Sequence, residues 1–305
     1  MKKVIKIIGI TLLCLAALVT IFLIIISQKQ YVPKKYTEST ETGGSIESAY
    51  LKNGSYEVEY FEYAAAQNFK KYEIWYPAGL KSTERKYPVI VVSNGTGVKA
   101  SKARAMFEHF ASWGFIIIGT EEEYSWNGFS ADMSLNYLLK CNNDSESIFY
   151  QKIDTENIGS LGHSQGGAGV FNSVTDTKHA DMYKCAVAES PTNTELAENL
   201  EWNYDIAKVN VPVFMVAGTG SFDSQTVIPL DKMNEMYDLI SDTPKAMARR
   251  AGLDHGDILY SADGYVTAWF MWQLQGDEEA AKAFIGDSPE LMNNSLYQDQ
   301  RINIE

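Results

Sequence analysis

Ile158–Gly167 reads IGSLGHSQGG: an apolar run stops at Gly162-His163-Ser164-Gln165-Gly166 and continues into the small residues Gly166–Gly169. Ile158–Leu161 is short and apolar, as a strand covered on both faces would be. The small residues after it suit a helix packed closely on a sheet. A G-x-S-x-G sequence is a weak signal alone, but between a buried strand and a helix it describes a sharp turn that projects the serine hydroxyl at the helix N-terminus. The helix dipole there favours a developing anion. Ser164 is therefore the candidate nucleophile.

Working outward, other buried strands flank this one. Pro88–Ser93 (PVIVVS), Phe115–Gly119 (FIIIG), Cys185–Ala188 and Val211–Ala217 are unbroken apolar runs, and Ala246–Arg250 is a weaker one. Between the first two, Ala103, Met106, Phe107, Phe110 and Ala111 recur at helical spacing. Leu135, Leu138 and Leu139 mark another helix, and Tyr265–Gln275 a last, strongly apolar one with Asp263 as its expected N-cap. Upstream, Tyr56–Tyr63 and Tyr72–Tyr76 alternate polar and apolar residues, as half-exposed strands do. Antiparallel-looking strands followed by strand–helix repeats predict a three-layer α/β fold with a mostly parallel central sheet. Functional groups in such sheets gather at the carboxyl ends of the strands.

A serine hydroxyl needs a base. With the nucleophile on this kind of turn, the chain order is serine, acid, histidine. His255, in Gly252-Leu253-Asp254-His255-Gly256, is the one histidine late enough. His109 lies inside a helix and reads as structural, His163 should turn away from the nucleophile, and His179 sits in a polar, solvated loop. The acid should follow a buried strand: Asp223, in Gly218-Thr219-Gly220-Ser221-Phe222-Asp223, is best placed, with Glu189 the rival. Two backbone N–H groups should meet an oxyanion. Gln165, next to the nucleophile, supplies one, and Thr96, between the glycines of Asn94-Gly95-Thr96-Gly97, the other.

These segments together resemble the α/β-hydrolase superfamily. From about Tyr56 to Phe284 the chain is similar to the lidless cutinase and polyester-hydrolase group, with its chlorophyllase and dienelactone-hydrolase relatives. PVIVVSNGTG (88–97), FASWGFIIIGT (110–120), IGSLGHSQGG (158–167), VPVFMVAGTGSFD (211–223) and Asp254-His255-Gly256 carry the resemblance. It implies Ser164, Asp223 and His255 as a catalytic triad, with Thr96 and Gln165 as oxyanion donors. Polyester-degrading members carry a tryptophan after the strand that here ends in Glu189, whereas this chain has Ser190-Pro191-Thr192-Asn193. That departure argues against a polymer clamped by an aromatic ring.

The N-terminus adds a second feature. Ile7–Ile26 (IIGITLLCLAALVTIFLIII) holds no charge. As a helix its twenty residues would span about 30 Å, a bilayer core. Lys2, Lys3 and Lys6 precede it, which favours a cytoplasmic N-terminus, although Lys29, Lys34 and Lys35 follow it. The run ends at Ile26-Ser27-Gln28, a poor cleavage site, so a membrane anchor is expected over a cleaved signal peptide. The expected divisions are residues 1–27 as anchor, 28–52 as a polar tether and 53–305 as the catalytic domain. The domain should lie outside the cell, tethered to the membrane or, alternatively, secreted.

Composition narrows the chemistry. The 305 residues carry a net charge of −13, and those after residue 29 carry −17, so a phosphate backbone is an unlikely partner. Three cysteines and four histidines leave little for a metal centre, and no cofactor is expected. Pairing of Cys141 with Cys185 is left open by the sequence. Only Ser190–Asn210 separates two strands, too short for a large lid, so the site should be an open cleft. Glu121-Glu122-Glu123 reads as a solvated charge run at its edge, and Tyr124 and Trp126 are candidates to pack an acyl or aryl group. The expected activity is hydrolysis of small carboxylic esters through an acyl-enzyme. An acyltransferase or peptidase with the same triad, or a non-catalytic binding module on the scaffold, are the alternatives.

Overall fold

The computed structural model describes residues 29–66, 69–240 and 243–304. Nine strands among them form one sheet: β1 (Val58–Ala64), β2 (Lys71–Pro77), β3 (Tyr87–Ser93), β4 (Ile116–Thr120), β5 (Ile153–His163), β6 (Tyr183–Glu189), β7 (Val213–Gly218), β8 (Lys245–Arg250) and β9 (Tyr297–Asn303). Their order is β1-β2-β4-β3-β5-β6-β7-β8-β9. The six strands from β4 to β8 run parallel, while β1, β2 and β9 pair antiparallel at the edges.

Alternation along the buried strands splits the core in two. Ile90, Val92 and Ile117 face one apolar layer, which helices Arg104–Ser112 and Asp263–Gln275 cover. Val89, Val91, Ile116 and Ile118 face the other, under helices Phe129–Asn143, Gln165–Thr175 and Leu230–Leu239. Each fully buried Val, Ile or Phe contributes about 1.5–3 kcal/mol, so a sheet covered on both faces tolerates only near-continuous apolar strands. The three-layer α/β architecture expected from the sequence is the one observed.

Two expectations need correction. Residues 29–52 do not extend as a tether. Val32, Tyr36, Ile46, Tyr50 and Leu51 are buried in the core beneath helix Asp263–Gln275. Glu47, also buried, accepts hydrogen bonds from Tyr297 (2.8 Å) and Asn294 (2.8 Å) and pairs with Arg250 at 3.1 Å. A buried carboxylate is tolerable because it is paired and hydrogen-bonded, and its polarity is what disguises the segment as linker. Asp263 is not an N-cap; it is the first residue of its helix, and its carboxylate accepts from the Tyr36 hydroxyl at 2.6 Å. Strand β9, YQDQRIN, shows no apolar run because it is an edge strand and can be polar.

Ile7–Ile26 lies outside the described residues. No helix among those described is long and apolar enough to cross a membrane.

Tyr36 locks the N-terminal segment down, so Tyr36→Ala should cost about 3 kcal/mol or more of stability, as loss of a buried aromatic ring does. A urea unfolding midpoint unchanged from the parent would contradict this packing.

Candidate active site

Strand β5 ends at His163 and helix Gln165–Thr175 begins two residues later. Ser164, between them, has φ 61° and ψ −122°, a conformation costing a non-glycine residue about 1–3 kcal/mol. Its neighbours explain how the chain turns so sharply. A Cβ on Gly162 would meet the Gly166 carbonyl oxygen at 2.3 Å, and one on Gly166 would meet that of Ser93 at 2.1 Å. Both contacts are with backbone, which cannot swing aside. The Ser164 N–H donates to Glu189 O (2.9 Å), and its carbonyl accepts from Gly167 (2.9 Å) and Thr192 (3.2 Å), pinning the strained residue from three sides.

The other two residues come from the carboxyl ends of β7 and β8. His255 Nε2 lies 2.8 Å from Ser164 Oγ, and its Nδ1 lies 2.6 Å from Asp223 Oδ1. The second Asp223 oxygen accepts from Ser190 Oγ (2.6 Å) and the Gly218 N–H (2.7 Å). Burial opposes ionisation of Asp223, but the bonds from His255, Ser190 and Gly218 outweigh it and hold its pKa below the usual aspartate range. With Asp223 ionised, Nδ1 of His255 carries the proton and Nε2 is free to accept one from Ser164. Asp254 accepts from the His255 and Phe222 N–H groups, joining the loop of His255 to that of Asp223. Phe222 sets its ring edge-on to the imidazole at 5.2 Å.

Ser164, His255, Thr96 and Gly95 line an open cavity of about 330 Å³. Asn94 Nδ2 donates to the carbonyls of Thr120 and Glu122, which fixes the loop carrying Thr96. Among the described residues, no protein group accepts from the backbone N–H of Thr96 or Gln165. The side chain of Gln165 is spent elsewhere, accepting from the Ser125 N–H at 2.9 Å.

A family model described as PET hydrolase-like matches residues 35–300. The chain belongs to the PET hydrolase-like family. A search of curated proteins finds no match. The family match begins at residue 35 rather than near 53, in agreement with the packed N-terminal segment, and it identifies this family member as a hydrolase.

Within this PET hydrolase-like domain several residues differ from expectation. Tyr124 and Trp126 do not line the cavity that holds Ser164. Tyr124 borders a separate hollow with Lys70 and Glu121–Glu123, and the Trp126 carbonyl accepts from Asn172. The wall beside Ser164 is built instead by Lys29, Gln30 and Tyr31, with Val98, Gly256 and Leu259. No local pattern announces the first three, because the packing of Val32 and Tyr36 brings them there. The three glutamates are not a solvated run. Glu121 accepts from Ser101 N and Oγ, Glu122 from the Tyr124 N–H, and Glu123 pairs with Lys99 at 2.7 Å. His179 is paired with Asp132 at 2.8 Å rather than solvated. His109 is structural, bound to Thr267 at 3.0 Å. Cys141 and Cys185 are both free thiols.

His163 does not turn away. It is buried, its Nε2 lies 2.8 Å from the carbonyl of His255, and the two rings are 4.5 Å apart. Desolvation, then the neighbouring His255, lowers its pKa to about 3, so it stays neutral and its Nε2–H donates to that carbonyl. Its place next to Ser164 was the available signal.

Glu189, the rival acid, makes no hydrogen bond to His255. It gives its carbonyl to Ser164, while its carboxyl is buried with Oε1 unpartnered. Burial, then the Asp263 carboxyl, push its pKa well above the usual range. A carboxyl with a raised folded-state pKa contributes stability below its unfolded value of 4.5, which is lost as pH rises through the folded value. Glu189→Gln removes that loss. Its stability relative to the parent should therefore be higher at pH 8 than at pH 5. Denaturant melts at both pH values measure this; a pH-independent difference would show that Glu189 is ionised in the fold.

Proposed function

We propose that the protein is a serine hydrolase of small carboxylic esters, held at the membrane by Ile7–Ile26 with its catalytic domain outside the cell. The observation that carries the catalytic reading is the unbroken row Ser164–His255–Asp223, 2.8 and 2.6 Å per step, at the floor of an open cavity. Membership of a hydrolase family supports it. Ser164 Oγ attacks the ester carbonyl while His255 Nε2 takes its proton. The Thr96 and Gln165 N–H groups donate to the oxygen that becomes negative. His255 then protonates the leaving alkoxide, and water, activated by the same nitrogen, releases the acid from Ser164. Asp223 holds the imidazole in the productive tautomer and stabilises its cation. Ser190-Pro191-Thr192-Asn193 supplies no aromatic clamp, and all four residues are buried, which supports small esters over a polymer.

Ser164→Ala and His255→Ala should each lower turnover of a p-nitrophenyl ester on the order of 10⁴-fold or more, because the three residues act as a unit. Asp223→Asn should also be severe, since the amide favours the wrong tautomer. Labelling by a fluorophosphonate probe should vanish in Ser164→Ala, with the fold intact by circular dichroism. Labelling retained at another serine would reject the assignment.

The anchor predicts that the full chain sediments with membranes and is released by detergent, with the domain open to protease added outside intact cells. Recovery of the uncleaved chain in a detergent-free soluble fraction would reject it.

A further inference from the structure

The cavity that holds Ser164 opens beside Lys29, three positions after the apolar run ends at Ile26 in the sequence. Lys29, Gln30 and Tyr31 form part of the wall around Ser164 and His255. The segment is held there firmly: the Tyr31 N–H donates to Lys102 O at 2.8 Å, Val32 is fully buried, and Tyr36 binds Asp263. Only Ser27 and Gln28 separate Ile26 from Lys29. Even fully extended, three residue steps cover about 10 Å. Whatever surface the apolar run enters, the cavity mouth cannot lie far from it.

Resting on the anchored ester-hydrolase reading above, we propose that the site acts on lipid: its substrate is an acyl ester of a lipid in the same membrane, reached from the headgroup layer. The rim has the chemistry of that layer. Tyr31, in the cavity wall, is 47% exposed, and Phe222, edge-on to His255, is 50% exposed. Exposed aromatic rings flanking a site suit the boundary between water and hydrocarbon. Lys29, Lys34 and Lys35 are exposed along the same segment, in a domain whose overall charge is strongly negative. The ammonium groups of Lys29 and Lys34 can meet phosphate oxygens of the headgroup layer, while Lys35 pairs with Glu38 at 3.5 Å. The cavity, at about 330 Å³, lies at the small end of ligand pockets. It takes one ester group with part of its chain, and the rest of the lipid stays in the bilayer. Ser164 bonds to the acyl carbon, the acyl–oxygen bond to the lipid alcohol breaks, and His255 returns the proton to that alcohol. Water then frees the fatty acid and regenerates the serine.

The test separates distance from chemistry. The full chain is reconstituted in phosphatidylcholine vesicles carrying a fluorogenic long-chain acylglycerol, beside variants with 10, 20 or 40 Gly/Ser residues inserted between Ser27 and Gln28. The insertion keeps the anchor and the whole described domain, but a 20-residue spacer lets the domain stand off by roughly 25 Å. Turnover of p-nitrophenyl butyrate in bulk water should stay within about twofold, while turnover of the vesicle ester falls about tenfold, deepening with spacer length. Vesicle-ester turnover that ignores spacer length overturns the proposal. So does a parent chain that cleaves p-nitrophenyl butyrate but leaves the vesicle ester intact; that result spares the ester-hydrolase reading. A folded parent chain inactive on both substrates removes the ester-hydrolase reading itself.

Discussion

Helix Gln165–Thr175 must start almost against strand β3, and the site depends on that approach. Gly166 sits where a Cβ would stand 2.1 Å from the Ser93 carbonyl oxygen, and Gly162 where one would stand 2.3 Å from that of Gly166. With those two contacts closed to any side chain, the turn between strand and helix has one residue left to absorb the bend. Ser164 takes it, at φ 61°. The strain is sustained by hydrogen bonds to β6 and to the segment after it, and its result is a hydroxyl held within reach of His255. The same approach brings the loop of Gly95 and Thr96 against Ser164, so the serine hydroxyl and the open N–H groups are fixed by one packing event.

Around that turn the polar groups divide into two sets with opposite electrostatics. Asp223 is held below the usual aspartate range because three donors surround it, His255 Nδ1, Ser190 Oγ and the Gly218 N–H. For Glu189 and Asp263, burial pushes the pKa well above the usual carboxyl range. Position along the chain does not tell these carboxyls apart, since Glu189 and Asp223 both follow buried strands. Their donors do. Ser190 belongs to this balance: it spends its hydroxyl on Asp223.

The N-terminal segment links the site to the rest of the molecule. Glu47 joins it to Arg250 on β8 and Tyr297 on β9, and Tyr36 joins it to Asp263. It therefore serves both as part of the core and as a wall of the cavity that holds Ser164.

The sequence by itself determined the three-layer fold, since strands buried on both faces must be continuous apolar runs and helices must show one apolar stripe. It also singled out Ser164, His255 and Asp223 as candidates, because a nucleophile on a strand–helix turn restricts where its partners can follow. Tertiary structure alone decided what depends on neighbours distant in the chain. Asp223 rather than Glu189 faces His255, His163 packs on His255, and Lys29–Tyr31 rather than Tyr124 and Trp126 flank the serine. Residues 29–52 and β9 were hidden for the same physical reason. Their polar side chains match those of a solvated linker, and only partners up to 250 positions away show that one of them is a buried carboxylate.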